Sequence, residues 1–316
     1  MNRGFIGALC LIMASALLAG CGGSQPPIGT NGTIAHAAQR ESSSLGHDGL
    51  LYVSLPYNVK VYTYPKGKPF ASISIPGGAN GMCTDGVGNV FIIEGDGEVA
   101  EYAHGATKPT ASKLLLGDPY SCAVDPFTGN LAVSNQGGAV EVFTKFPGKP
   151  TIYSLPATGN LYFCTYDGDG NLFVDGRWFQ RHKIRNGLFE LVKGGSSLTP
   201  VTLPFGIVRT AAAIQWDGKY LAIQALRNNH TFDRVSVHDF HGQVVSAVRL
   251  LGEPPNRSQF VIEDGSVIQP DALIKGIGFW RYPAGGAVKK RIKRIGDYVF
   301  GVAISTVAKE RRDAVR

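Results

Sequence analysis

Short apolar runs broken by Gly, Pro, Asn and Asp fill this chain after residue 50. One stretch reads cleanly. "YSCAVD" (120–125) alternates like a strand, "PFTG" turns, "NLAVSN" is a second strand, and "QGG" turns again. "AVEVFT", the loop "KFPGK" and "PTIYSLP" then supply a third and a fourth strand. Period-two alternation between turn residues predicts a four-stranded antiparallel unit. The same shape returns as "GMCTDGVGNVFII" (81–93), "YFCTYDGDGNLFV" (162–174) and "AAIQWDGKYLAI" (212–223), and amphipathic helical periodicity is hard to find anywhere after residue 50.

Aligned on the turn aspartate, the units carry Asp85, Asp125, Asp167, Asp217 and Asp264, with Ser305 in the matching place, at steps of 40, 42, 50, 47 and 41 residues. Four short strands repeating at this spacing are the pattern of propeller blades. Second strands are expected to begin near Leu50, Asn89, Asn130, Asn171, Lys219 and Ser266. The N-terminal unit has no first strand of its own, and residues 299–305 can supply it. The expected architecture is therefore all-β: a six-bladed β-propeller over 49–306, its split blade closed by N-terminal strands plus a C-terminal strand. Closure removes exposed sheet edges.

"CAVDPFTGNLAV" and "CTYDGDGNLFV" resemble the repeats of NHL-type six-bladed β-propellers, and "QFVIEDGSVI" carries the motif poorly. The resemblance covers about residues 50–305 and implies the fold, which hosts many functions. Asp125 is read as a turn residue whose carboxylate caps backbone amides. "DGDGNLFVDG" (167–176) begins like a calcium loop, but Leu172 stands where glycine is needed and Trp178 where a bidentate glutamate is needed, so it too is a turn.

The N-terminus has another character. Arg3 precedes "FIGALCLIMASALLAG", apolar but short of the roughly 20 residues of a spanning helix. Leu18-Ala19-Gly20-Cys21 resembles the bacterial lipoprotein lipobox. That resemblance implies a signal peptide over 1–20, cleavage before Cys21, and lipidation of Cys21; two or more acyl chains make a stable anchor. The location implied is the bacterial cell envelope, with the outer membrane the default in a host with two membranes. Residues 21–48 read as a flexible tether reaching roughly 30 Å, and 307–316 as a basic tail.

Of five cysteines, Cys10 leaves with the leader and Cys21 is acylated, leaving Cys83, Cys122 and Cys164 in apolar runs. An odd count gives no complete disulfide framework. Buried free thiols are expected, on the argument that first strands of adjacent blades diverge from the axis. The chain of 316 residues has 41 Gly and 18 Pro, in keeping with many turns, and its formal net charge of +7 is modest for the size. An exported lipoprotein of this charge is expected to be a monomer that binds no nucleic acid, its partners being the membrane through the anchor and an envelope protein or glycan.

Propeller ligands bind at the face where first strands begin, and second-to-third connections emerge there too. Positions five before each aligned residue are Asn80, Tyr120, Tyr162, Ala212, Gln259 and Phe300; those seven before are Gly78, Asp118, Asn160, Thr210, Arg257 and Tyr298. They are expected to ring the channel mouth. Two connections are long: "RWFQRHKIRNG" (177–187) and "RNNHTFD" (227–233). Long loops in a tightly turned fold carry function. The expected ligand-binding set is Trp178, Arg181, His182, Arg185, Arg227, Asn228, His230, Tyr120, Tyr162 and Arg257, with Lys183 adding charge. The opposite face is expected to offer tight turns of little chemical variety. "KKRIKR" (289–294) is placed on an outermost strand, where cations guard an edge.

No Gly-x-Ser-x-Gly elbow, His-Glu-x-x-His or closely spaced Cys/His set is present. The reading is a lipid-anchored binding or scaffolding module with no cofactor and no catalytic residue. The alternative is a metal-dependent hydrolase similar to the gluconolactonase type. A divalent metal in the central channel would then be held by Asp118, Asn160 and Asn80, and no glutamate falls at an equivalent place.

Overall fold

The apolar runs become strands where their alternation predicts. The computed structural model describes residues 49–115, 117–155, 157–204, 212–225, 231–252 and 258–307. Cys21 with the leader and tether, Thr210, Arg227, Asn228, His230, Arg257 and the tail beyond Val307 lie outside the described residues.

Strands β1 (Gly49–Leu55), β2 (Asn58–Tyr64) and β3 (Pro69–Ser74) lead the chain. Next come β4 (Ala79–Thr84), β5 (Val90–Glu94), β6 (Glu98–Tyr102) and β7 (Ala111–Leu114). They are followed by β8 (Pro119–Val124), β9 (Leu131–Asn135), β10 (Ala139–Phe143) and β11 (Thr151–Ser154). The next four are β12 (Gly159–Tyr166), β13 (Leu172–Gln180), β14 (Lys183–Leu191) and β15 (Thr199–Val201). Then come β16 (Ile214–Trp216), β17 (Leu221–Ala225), β18 (Thr231–His238) and β19 (His241–Leu251). The last are β20 (Val261–Glu263), β21 (Ser266–Asp271), β22 (Gly276–Arg281), β23 (Gly285–Ile292) and β24 (Gly301–Ser305).

Each consecutive set of four from β4 onward is an antiparallel meander. The sets β16–β19 and β20–β23 are joined at their outer edges by a short parallel pairing of Leu250 with Gly286 and Leu251 with Ala287. The strand expected from the C-terminus is there: β24 pairs antiparallel with β1, Leu50 opposite Ser305 and Ser54 opposite Gly301. The fold is a β-propeller of four-stranded blades, the first closed by the last strand. Inner strands of all six sets line one central cavity of about 240 Å³, among them Met82, Ala123, Cys164, Ile214, Phe260 and Ala303.

Alternation along each strand distributes the core between neighbouring blades. Val90 and Ile92 pack toward the first blade with Leu50 and Tyr52, whereas Phe91 and Ile93 pack toward the third with Leu131 and Val133. The blades are also stitched by polar bonds, because a buried backbone group without a partner costs about 1–3 kcal/mol. Thr84 Oγ1 donates to Ile304 O (3.0 Å), and Ser134 Oγ donates to Tyr162 O. Trp216 N donates to Thr165 Oγ1 (3.1 Å), and Ile262 N to Gln215 Oε1 (2.9 Å).

Between the second and third blades the stitch is covalent. Cys83 and Cys122 form a disulfide with Cα atoms 5.6 Å apart, so the expectation of free thiols at these two positions is corrected. Inner strands converge near the axis instead of diverging. Gly81 shows how closely: a Cβ there would sit 2.7 Å from Tyr120 O. Cys164 is free and buried, as expected, and burial pushes its thiol up to about 12.

The turn aspartates cap amides as predicted. Asp125 Oδ1 accepts from Phe127 N (2.9 Å), Asp85 Oδ1 from Val87 N (3.0 Å) and Asn89 N (2.8 Å), and Asp167 Oδ1 from Asp169 N (2.9 Å) and Asn171 N (2.8 Å). Asp264, in the weakest repeat, departs: it has φ 47° and hydrogen-bonds Tyr64. Ser305 takes a different task, donating to Gly88 O (2.5 Å) across a seam. The basic run begins on β23, the outermost strand expected, yet it does more than guard an edge. Lys290 Nζ donates to Pro65 O and to Lys66 O (2.9 Å), and Arg291 Nε pairs with Asp271 Oδ2 (3.0 Å).

Candidate functional site

Hydrogen bonds place second-to-third connections beside the starts of first strands, on one face. Gly95 N donates to Gly78 O (2.8 Å), Gln136 N to Asp118 O (2.8 Å) and Phe179 N to Thr158 O (2.9 Å).

The segment 177–187, expected as a loop, is instead a ribbon. β13 and β14 stay paired to their tips, with Arg177 opposite Asn186, Trp178 opposite Arg185, Phe179 opposite Ile184 and Gln180 opposite Lys183. Period-two order explains this: the polar residues that read as loop occupy both faces of a two-stranded extension. Arg181 and His182 form the turn with φ 48° and 61°. Both central positions of a tight hairpin turn need positive φ, which normally selects Asn-Gly. Side chains other than Gly, Asn or Asp resist that conformation by roughly 1–2 kcal/mol each.

The ribbon has two unlike sides. Trp178 is half-buried, its ring meeting Phe189 edge-on at 4.7 Å, with space made by Gly187, where a Cβ would fall 3.1 Å from the indole. On the other side Phe179 and Ile184 are 50% and 52% exposed, directly opposite one another. Arg181, His182, Lys183 and Arg185 are exposed, and among the described residues none has an acidic partner. Of the expected ligand-binding set, the structure thus brings together Trp178, Arg181, His182 and Arg185.

Tyr120 and Tyr162 do lie together, near the starts of β8 and β12. Their rings meet edge-on at 5.3 Å, and Tyr120 also packs on Phe163 at 5.2 Å. Both are half-buried. Gln259 reaches the second blade from the sixth: its Oε1 accepts from Met82 N (2.8 Å) and its Nε2 donates to Met82 O.

The three expected metal ligands are occupied with seams. Asn80 Nδ2 donates to Pro119 O (3.4 Å), Asn160 Nδ2 to Gln136 O (2.6 Å), and Asp118 Oδ2 accepts from Gln136 Nε2 (2.7 Å). Asp118 and Asn160 share Gln136 at one seam while Asn80 serves another. The donor set holds a single carboxylate, a poor fit for a divalent ion.

Three features escaped the sequence reading. The β5–β6 tip brings Glu94, Asp96 and Glu98 within 4.8 Å of one another, the one such convergence of acid, His or Cys groups among the described residues. Burial, then the charges of Glu98 and Asp96, push Glu94 up to about 7. The alternation in "EGDGE" was the signal. Asp175 is fully buried on β13, and burial pushes it up to about 8 against hydrogen bonds from the amides of Ala212 (2.8 Å) and Phe163 (2.6 Å). An aspartate inside the run "NLFVDG" was the signal there. The opposite face, expected to be chemically bland, holds a cavity of about 350 Å³ lined by Asp167, Asp169, Glu190, His238 and Asp239.

No protein-family model matches this sequence, and no curated protein sequence matches it. Its structure is similar to a chain in the crystal structure of a nidogen/laminin complex (TM-score 0.62, 11% identity, covering 81% of this chain and 98% of that one). It is also similar to the β-propeller domain of Cps50 (Swd1) from Myceliophteria thermophila (TM-score 0.53, 10% identity, 77% and 83% covered). A third similar structure is apo AztD from Citrobacter koseri (TM-score 0.52, 12% identity, 84% and 100% covered). At these identities the likeness establishes the propeller fold.

Proposed function

We propose that this chain is a monomeric, lipid-anchored binding module of the bacterial envelope that captures an acidic protein or glycan with the β13–β14 ribbon. The observation that carries the reading is the ribbon tip, where four exposed basic residues crowd around a turn held in left-handed backbone. Adjacent cations raise a local positive potential. Phe179 and Ile184 add apolar surface that water does not favour leaving exposed. Strain kept at a projecting tip points to use. The apolar leader and "LAGC" support anchoring at Cys21, the tether supports display away from the membrane, and export argues against nucleic acid.

The test exploits the strained turn. Arg181→Asn with His182→Gly installs the preferred turn sequence, so the ribbon should persist and the protein should melt no lower than wild type. Adding Arg185→Gln removes the cation opposite Trp178. In cells, a photo-crosslinker at Ile184 should trap one acidic partner in the wild type and lose it in the triple variant. The effect expected is about 2 kcal/mol or more, as for Arg at binding hot spots. Identical crosslinks from both proteins would sink the reading.

A further inference from the structure

A second concavity lies on the same face between the sixth and first blades. It measures about 640 Å³ and is lined by Ser258, the β21–β22 connection from Pro270 to Gly276, and Gly296 to Phe300. That volume falls in the range of small-ligand sites. Its rim carries Tyr298, 79% exposed, and Phe300, 45% exposed. The backbone is arranged around it: Tyr298 and Lys275 both have positive φ (56° and 50°), and Asp271 caps the 3₁₀ turn Ala272–Ile274 by accepting from Leu273 N. Tyrosine is a rare occupant of left-handed backbone. Here that conformation coincides with a ring standing at the lip of the groove.

The charges narrow the ligand. Lys275 Nζ and Asp297 Oδ1 are 2.5 Å apart and both side chains are mostly exposed, so a donor and an acceptor stand side by side. Asp271 is neutralised by Arg291 at 3.0 Å. Among the described residues that line it, the groove therefore carries balanced charge, unlike the ribbon, with no excess to attract an anion. Flat aromatic faces beside a paired donor and acceptor match a ring with an apolar C–H face and a rim of hydroxyls, each of which both donates and accepts.

We propose that this groove is a binding site for a neutral saccharide, with Tyr298 and Phe300 as stacking platforms and the Lys275–Asp297 pair holding hydroxyls. It is independent of the ribbon's role. The test is calorimetric titration of the full chain with maltotriose, cellotriose and chitotriose, and with an uncharged proline- and tyrosine-containing peptide as the competing class. At least one trisaccharide should bind saturably. Tyr298→Asn, which removes the ring but suits left-handed backbone, and Phe300→Ala should each weaken it at least tenfold. Lys275→Ala should weaken it severalfold, while the ribbon triple variant should bind unchanged. Tyr298→Phe keeps the ring and should retain most affinity, a result that unfolding of the rim would not give. The proposal fails if none of the three sugars binds, if only the peptide binds, or if the ring-removing variants bind as well as wild type.

Discussion

Replacing Asp217 by Asn should remove about 3 kcal/mol of stability, although the two side chains have the same shape. Asp217 Oδ1 accepts from Lys219 N (2.9 Å) and Tyr220 N (2.7 Å), which an amide oxygen can continue to do. Its Oδ2 accepts from Arg234 Nε (2.6 Å) and from the Tyr282 hydroxyl (2.7 Å), tying the fifth blade to the sixth. In the variant an NH₂ would face both donors. Tyr282 can rotate its hydroxyl to accept, but a guanidinium has no acceptor. Arg234 is then left without its partner at 18% side-chain exposure. Removing one member of a buried pair costs about 3–5 kcal/mol. The Tyr220 and Tyr282 rings, 4.7 and 5.7 Å from the guanidinium, hold the expected loss near the lower end. For a domain of this size the melting point should fall by roughly 6–12 °C. Burial alone would raise the Asp217 carboxyl, but the bonds from Arg234, Tyr282 and the two amides outweigh it and hold it below the usual range. Its contribution is therefore present above the unfolded carboxylate value of about 4 and is lost as pH falls through the lower folded value. Melting followed by circular dichroism at stepped pH should show the gap between wild type and variant closing in that acid window. Asp125→Asn is the control, because the Asp125 carboxylate meets the Phe127 amide and the Thr128 hydroxyl, makes no ion pair among the described residues, and should cost only about 1 kcal/mol. A loss under about 1 kcal/mol at Asp217, or a gap as wide at pH 2 as at pH 7, would refute the reasoning.

Two further outcomes are expected. Peptide mapping without reductant should recover the Cys83 and Cys122 peptides linked, with Cys164 alkylated only after denaturation; separate, alkylated Cys83 and Cys122 peptides would contradict the seam. Cys21→Ser should move the protein from the membrane fraction to the soluble one, and full retention in membranes would rule out the anchor.

The blades were legible because buried apolar second strands such as β5 and β9, and more exposed outer strands such as β7 and β11, recur between the same Gly, Pro, Asn and Asp turns. The step from Asp125 to Asp167, the turn chemistry of "PFTG" and the missing first strand all follow from local pattern. The disulfide did not, because which cysteines meet depends on how closely inner strands approach, and here Gly81, two residues before Cys83 on β4, lets Tyr120 of the next blade come close. The ribbon was placed correctly but given the wrong form. Each side of the extension mixes apolar with polar residues, Trp178 with Arg185 on one and Phe179 with Arg177 on the other, and the hydrophobic alternation that announces a strand disappears. The groove beside Tyr298 was missed as a site because its walls come from segments some 25 residues apart, joined only when β24 closes the first blade.

The same closure explains which polar residues are left for ligands. Polar side chains at the starts of first strands meet a neighbouring blade whose backbone groups need partners, and Asn80, Asn160 and Gln259 are all engaged there. A ring position is thus a structural post first, and residue type alone does not make it a binding residue. Side chains escape that demand only where the chain projects past the seam, as at the β13–β14 tip and the Tyr298 rim. Both places carry side chains on positive-φ backbone, as do the Asp239–Phe240 turn, Asp264 and Arg294 elsewhere. In a repeat fold whose seams consume polar groups, projection past the seam, rather than polarity at the channel mouth, decides which side chains are available to meet a ligand.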